Sequence, residues 1–130
     1  MMGVSKPHAL PKSERLCSLM ALRRLFDEGR SGFVYPFRYT YYSENSTLPS
    51  SVEVLFSVPK RNHKRANKRN LLKRRMREAY RLSNESLKQA VQERGLNLDL
   101  AFVYSSKEVL PYKTVAHAIA KILSEVAEHA

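Results

Sequence analysis

Residues 51–82 read SVEVLFSVPKRNHKRANKRNLLKRRMREAYRL, and this stretch decides the fold. Val52, Val54, Phe56 and Val58 alternate with Ser51, Glu53, Leu55 and Ser57, giving a strand one strongly apolar side and one mostly polar side. Pro59 ends that strand, because it has no N–H to offer a ladder. From about Lys64 to Leu82 the period becomes that of a helix. With successive residues about 100° apart, Arg69, Asn70, Lys73, Arg74, Arg77 and Arg81 fall within an arc of roughly 140°, and Leu72, Met76 and Ala79 cluster on an adjoining arc. The segment reads as a strand followed by a folded helix rather than as a solvated basic tail.

Charge is concentrated in the same place. The 130-residue chain carries a formal net charge of +11. Eleven basic residues and a single acid, Glu78, lie between Lys60 and Arg81, so that segment holds an excess of ten and the rest of the chain an excess of one. Solubility charge would be dispersed with both signs interspersed, so this is a local device for a polyanion. Like charges at i, i+4 on one helix face repel by about a few tenths of a kcal/mol per pair, and a phosphate backbone offsets that repulsion. Guanidinium groups bind phosphate through paired hydrogen bonds, and Asn70 can donate and accept beside them. A membrane-surface helix would need a broader apolar face than this narrow stripe. Phosphate chemistry alone does not separate RNA from DNA.

Outward from the basic helix, the other elements are shorter. Residues 1–13 contain Gly3, Pro7 and Pro11 without apolar periodicity and read as a loose arm, leaving 14–130 as one domain. Ser18 is placed to cap a helix presenting Leu19, Leu22 and Phe26 and stopping at Gly29. Gly29-Arg30-Ser31-Gly32 reads as a turn, 37–42 as an alternating strand and 43–50 as a polar loop. After the basic helix, Ser83 or Asn84 caps a helix with Leu87, Ala90 and Val91 that stops at Gly95, and 98–105 alternates as a strand. Beyond Pro111, Val115, Ile119, Ile122 and Val126 mark the buried side of a last helix. The order predicts an α/β two-layer sandwich, with helices packed on one face of a small sheet.

Several chemistries lack support. Cys17 is the only cysteine, which excludes an intramolecular disulfide and suits a reducing compartment. The first fifteen residues lack a signal-peptide core and no run is apolar enough to span a membrane, so a soluble cytoplasmic protein is expected. His8, His63, His117 and His129 have no metal-ligand spacing with one another or with Cys17, and His63 reads as an RNA-facing or surface group. The carboxylates are scattered rather than clustered for a nuclease, and the four glycines are too dispersed to cradle a nucleotide phosphate.

The residues Ser57-Val58-Pro59-Lys60-Arg61, followed by Arg69-Asn70-Leu71-Leu72-Lys73-Arg74-Arg75-Met76-Arg77, resemble the signature of the bacterial ribonuclease P protein, Arg-Asn-x-x-Lys-Arg-x-x-Arg. Glu14-Arg15-Leu16, Phe26-Asp27-Glu28-Gly29 and Leu98 to Tyr104 extend the likeness over nearly the whole chain from about residue 14. The resemblance implies an accessory subunit of an endoribonuclease whose catalyst is a large RNA, with no catalytic side chain in this chain. It implies that Arg69, Asn70, Lys73, Arg74 and Arg77 bind the catalytic RNA, with Lys64, Arg65 and Arg81 extending the same surface. It implies a left-handed crossover around that helix, where crossovers are otherwise almost always right-handed. Leader binding maps to Leu22, Phe26, Lys60 and Arg61, with Tyr39 or Tyr41 as further stacking rings, since aromatic and cationic groups together suit single strands. Mg²⁺ would be held mainly by the RNA, the partners would be that RNA and precursor tRNA, and no obligate protein partner or membrane is implied. Two departures stand out: Leu22 occupies a position where many relatives carry an aromatic ring, and the connection 62–67 lacks the family's glycine and reads one residue longer. A noncatalytic RNA-binding protein, such as a ribosomal protein or RNA chaperone, is the alternative, with a DNA-binding protein third.

Overall fold

The structure is a computed structural model that describes residues 19–46 and 50–130. The expected arm at 1–13, the Ser18 cap and Cys17 lie outside the described residues. The elements are α1 (Leu19–Glu28), β1 (Arg30–Val34), β2 (Phe37–Asn45), β3 (Ser51–Ser57), α2 (Ala66–Ser83), α3 (Glu85–Arg94), β4 (Leu96–Tyr104) and α4 (Tyr112–His129). They form one four-stranded sheet in the order β1-β2-β4-β3.

β4 is the centre of the sheet, antiparallel to β2 and parallel to β3. A parallel pair cannot be closed by a tight turn, so the chain between β3 and β4 crosses over the sheet, and α2 and α3 make that crossing. Strand alternation then sorts side chains onto two faces. Phe37, Tyr39, Tyr41, Val52, Val54, Leu98, Leu100, Phe102 and Tyr104 enter the main core with Leu72, Met76 and Tyr80 of α2, Leu87 and Val91 of α3, and Val115, Ile119, Ile122 and Val126 of α4. Phe56 lies over Phe102 with ring centroids 5.4 Å apart, and Phe37 meets Phe102 and Tyr104 edge-on. Gly95 takes φ 62, and its N–H closes the end of α3 on Gln92 and Val91, as its position predicts.

Three helices thus cover one face, as expected, and α1 lies on the other. There Leu25 is fully buried against Ala101, with Leu22, Tyr42 and Leu55 packed around them. Leu25, not Phe26, is the anchor of this helix, and Phe26 is 56% exposed. The anticipated turn at 29–32 is instead the edge strand β1, paired residue by residue with β2 from Arg30↔Tyr41 to Val34↔Phe37. Its glycine is required by its neighbour rather than by a turn, since a Cβ at Gly32 would collide with the ring of Tyr39 opposite it. The reversal falls at Tyr35-Pro36, which is a cis peptide.

Leu25→Ala removes the one fully buried side chain among those described in α1, so it should lower stability by about 2 kcal/mol or more in chemical denaturation. A loss under about 0.5 kcal/mol would mean that α1 is held by something other than this packing.

Candidate nucleic-acid interface

α2 is an 18-residue helix that buries only Leu72, Met76, Ala79 and Tyr80. The stripe fixes which way the remaining residues point. Asn70 and Arg74 are exposed, and Lys73, Arg77 and Arg81 are half-buried along the same flank. Lys64 and Arg65 are exposed on the approach to the helix. Arg65 stands at the N-cap with no side-chain capping bond, and no acid lies in the first turn, so the positive end of the helix dipole adds to the cationic field. The predicted residues therefore lie along one flank of α2 and its approach, and Arg69 also has a structural role: its Nη1 donates to the carbonyls of His63 at 2.9 Å and Lys64 at 2.8 Å, bracing the loop that leads into α2. Arg81 is held by Glu78 at 2.9 Å. Arg75, outside the phased face, donates to the carbonyl of Leu110 and ties α2 to the approach of α4.

His63 does not face outward. Its side chain is 5% exposed, Nε2 donates to the carbonyl of Ser106 at 2.7 Å, and the ring meets Tyr104 edge-on at 5.6 Å. The aromatic Tyr104 beside a short connection holds it inward, which local sequence does not reveal.

The second surface is the sheet face that carries α1. Register places its residues in rows across the strands: Phe33, Arg38, Val103 and Ser57; then Ser31, Thr40, Ala101 and Leu55; then Tyr42, Asp99 and Glu53; then Glu44, Asn97 and Ser51. At the first row Phe33 and Arg38 are exposed, and the loop that leaves β3 just beyond Ser57 carries Lys60 and Arg61, also exposed. At the other end Arg24 of α1 reaches Glu44 at 3.4 Å and Asp99 at 3.9 Å and lies 5.1 Å over the ring of Tyr42. The face is cationic and aromatic at one end and acidic at the other.

Of the residues predicted for a single strand, Phe26, Lys60 and Arg61 are exposed, and Leu22 is partly buried in the packing of α1. Tyr39 is on the opposite face. It is 8% exposed, its hydroxyl donates to Glu125 of α4 at 2.9 Å, and burial followed by that bond pushes its pKa up to about 12. Tyr41 shares that face, its ring stacked on that of Tyr39 at 6.5 Å. The alternation that sends Phe37, Tyr39 and Tyr41 inward sends Arg38, Thr40 and Tyr42 to the α1 face, so Arg38 and Phe33, not Tyr39 or Tyr41, lie on that face.

A small domain with a phased cationic helix and a separate cationic-aromatic sheet end defines a nucleic-acid-binding protein of the α/β sandwich class. The sequence profile described as Ribonuclease P matches residues 10–127. The Ribonuclease P protein component of Porphyromonas gingivalis is 38% identical over 118 residues, spanning 91% of this chain and 86% of the relative. That of Chlorobaculum tepidum is 34% identical, spanning 82% of this chain and 74% of the relative. Solved RNase P proteins share the fold: that of Staphylococcus aureus superposes with a TM-score of 0.67 at 17% identity, over 88% of this chain and 96% of the other, and that of Thermotoga maritima with 0.64 at 22% identity, over 86% and 96%. The chain belongs to the ribonuclease P protein family and is a protein component of that tRNA-processing endoribonuclease. Among the described residues, no helix is long and apolar enough to cross a membrane, and no group of three His, Cys, Asp or Glu could hold a metal ion.

Asp99 gives the acidic end a pH signature. Burial, and after it the nearby Glu53, raise its pKa while Arg24 opposes them, leaving it pushed up to about 6. A carboxyl with a raised folded pKa favours the folded state at low pH, and that contribution fades as pH rises from about 4 to about 6. Thermal midpoints should therefore fall across that window in the parent chain and fall less in Asp99→Asn. Equal slopes in both would refute the assignment.

Proposed function

We propose that the two surfaces bind two RNAs: α2, with Lys64, Arg65, Arg69, Asn70, Lys73, Arg74, Arg77 and Arg81, holds the catalytic RNA, and the sheet face that carries α1, with Phe26 exposed on that helix and Phe33, Arg38, Lys60 and Arg61 at its cationic end, holds the single-stranded 5′ leader of precursor tRNA. The observation that carries this reading is the separation of the cations into a helical face and a sheet face. The helix suits a structured phosphate backbone, since several cations lie in register and need no base contact. The sheet end suits an unpaired strand, since rings can stack on bases while cations track phosphates.

In this reading the chain supplies binding and orientation. Hydrolysis of the leader's phosphodiester falls to the RNA, and Mg²⁺ is held by RNA phosphates, which match its preference for oxygen ligands and retained water. Holding the leader at one end of the sheet while α2 grips the catalytic RNA brings the scissile bond to a fixed place, the ordinary gain from orientation. The two acidic rows, with Glu53 and Asp99 in one and Glu44 in the next, disfavour phosphate at the opposite end, which gives the strand a direction. The setting is the bacterial cytoplasm.

Reconstitution tests the whole: at low Mg²⁺ the protein should stimulate release of the 5′ leader by a bacterial ribonuclease P RNA, and no stimulation over RNA alone would refute the reading. Lys73→Ala or Arg74→Ala should flatten the salt dependence of assembly by roughly 0.7 to 0.9 of a log unit for each phosphate left without its cation, and an unchanged slope would show that these side chains neutralise no phosphate. Phe26→Ala should cost about 1 to 3 kcal/mol of binding to precursor tRNA if its ring stacks a base, with little effect on leaderless tRNA. Equal losses on both substrates would point to a packing defect.

A further inference from the structure

The connection that departs from the family's pattern, 62–67, is where the two RNA surfaces meet. It runs from Lys60 and Arg61 into α2, has no glycine, and is tightly tied. The N–H groups of Asn62 and His63 both donate to the carbonyl of Pro59, at 3.2 and 3.3 Å, closing a turn around the two cations. The carbonyls of His63 and Lys64 accept from Arg69. The His63 side chain then reaches out of the turn to the carbonyl of Ser106.

Ser106 is itself a junction. Its hydroxyl accepts from the N–H of Glu108 at 3.0 Å and from the hydroxyl of Tyr35, in the β1–β2 reversal, at 3.2 Å. The Tyr104 hydroxyl donates to the carbonyl of Glu108 and accepts from the N–H of Leu110, while Arg75 of α2 donates to the Leu110 carbonyl. The segment 104–110 is thus held from three sides, by the hairpin through Tyr35, by α2 through Arg75, and by the loop through His63. Of these, the His63 bond is the one that fixes the cationic loop.

We propose that His63 is a positioning residue, which pins the loop bearing Lys60 and Arg61 to the segment 104–110 and so sets the placement of that loop relative to α2. The proposal rests on the two-surface reading above. Without the pin the turn still forms and α2 still packs, so affinity for the catalytic RNA stays. What disappears is the registration of the leader-side cations with an RNA already gripped by α2. Gln places an N–H donor about where imidazole Nε2 lies and can replace the bond to the Ser106 carbonyl, whereas Ala cannot.

The test measures binding of precursor tRNA with and without its 5′ leader to holoenzyme assembled from the full chain and a bacterial ribonuclease P RNA. His63→Ala should reduce the leader-dependent gain in affinity roughly five- to tenfold, the worth of one hydrogen bond, while leaderless tRNA and the salt slope of assembly stay unchanged. His63→Gln should restore most of the gain. Tyr35→Phe, at an exposed side chain that steadies Ser106 from the other side, should reduce the gain in the same direction by less, and it carries the test if His63→Ala unfolds at the assay temperature. An unchanged leader gain in His63→Ala or, where that variant unfolds, in Tyr35→Phe would overturn the pin. So would a loss in His63→Ala that is equal on both substrates and not restored by Gln. A parent protein with no leader gain would bring down the two-surface reading and the pin together.

Discussion

Burial of one narrow apolar stripe on α2 is the constraint on which the other features depend. Leu72, Met76, Ala79 and Tyr80 hold an otherwise cationic helix against the sheet, and they can do so only because α2 lies in the crossover between parallel β3 and β4. Phasing follows directly: with those four positions inward, Asn70, Lys73, Arg74, Arg77 and Arg81, spaced three and four residues apart, form a ridge along an outward flank. A basic segment without the stripe would be a disordered tail, able to attract RNA but unable to present it with fixed geometry. The helix thus accepts self-repulsion among its cations in return for a rigid display.

Sign of charge is segregated a second time on the sheet. Strand alternation gives the α1 face Arg38, Thr40 and Tyr42 from β2 and Asp99 and Ala101 from β4, and the antiparallel register sets Arg38 and Asp99 at different rows. Arg24 then satisfies the carboxylate end internally, pairing with Glu44 and Asp99, and leaves the Arg38 end open. The loop from β3 adds Lys60 and Arg61 beside that open end because a parallel strand must leave the sheet there to begin its crossover. One topological feature therefore supplies both cationic surfaces.

Much of this is legible in the sequence where a period is long or a residue unambiguous. The 3.6-residue period of the basic helix, the stop at Gly95 and the buried positions of α4 follow from local rules, and the structure agrees with each. The features that escape are those decided by distant partners. β1 looks like a turn because of Gly32, yet it is a strand because β2 offers it a ladder and Tyr39 needs the space. Tyr39 looks accessible because alternation gives two faces without saying which one the helices cover, and Glu125, 86 residues away, settles that it is inside. His63 reads as a surface histidine for the same reason, since Ser106 and Tyr104 lie about 40 residues downstream and only the fold brings them together.

Tethered cleavage of RNA tests the division into two surfaces most directly. In a Cys17→Ser background, a hydroxyl-radical probe would be attached at Arg74→Cys on α2 or at Arg38→Cys on the sheet, within holoenzyme bound to precursor tRNA. The probe at 74 should cut the catalytic RNA and spare the leader, and the probe at 38 should cut the leader. Cuts from both positions confined to the same RNA would contradict the account.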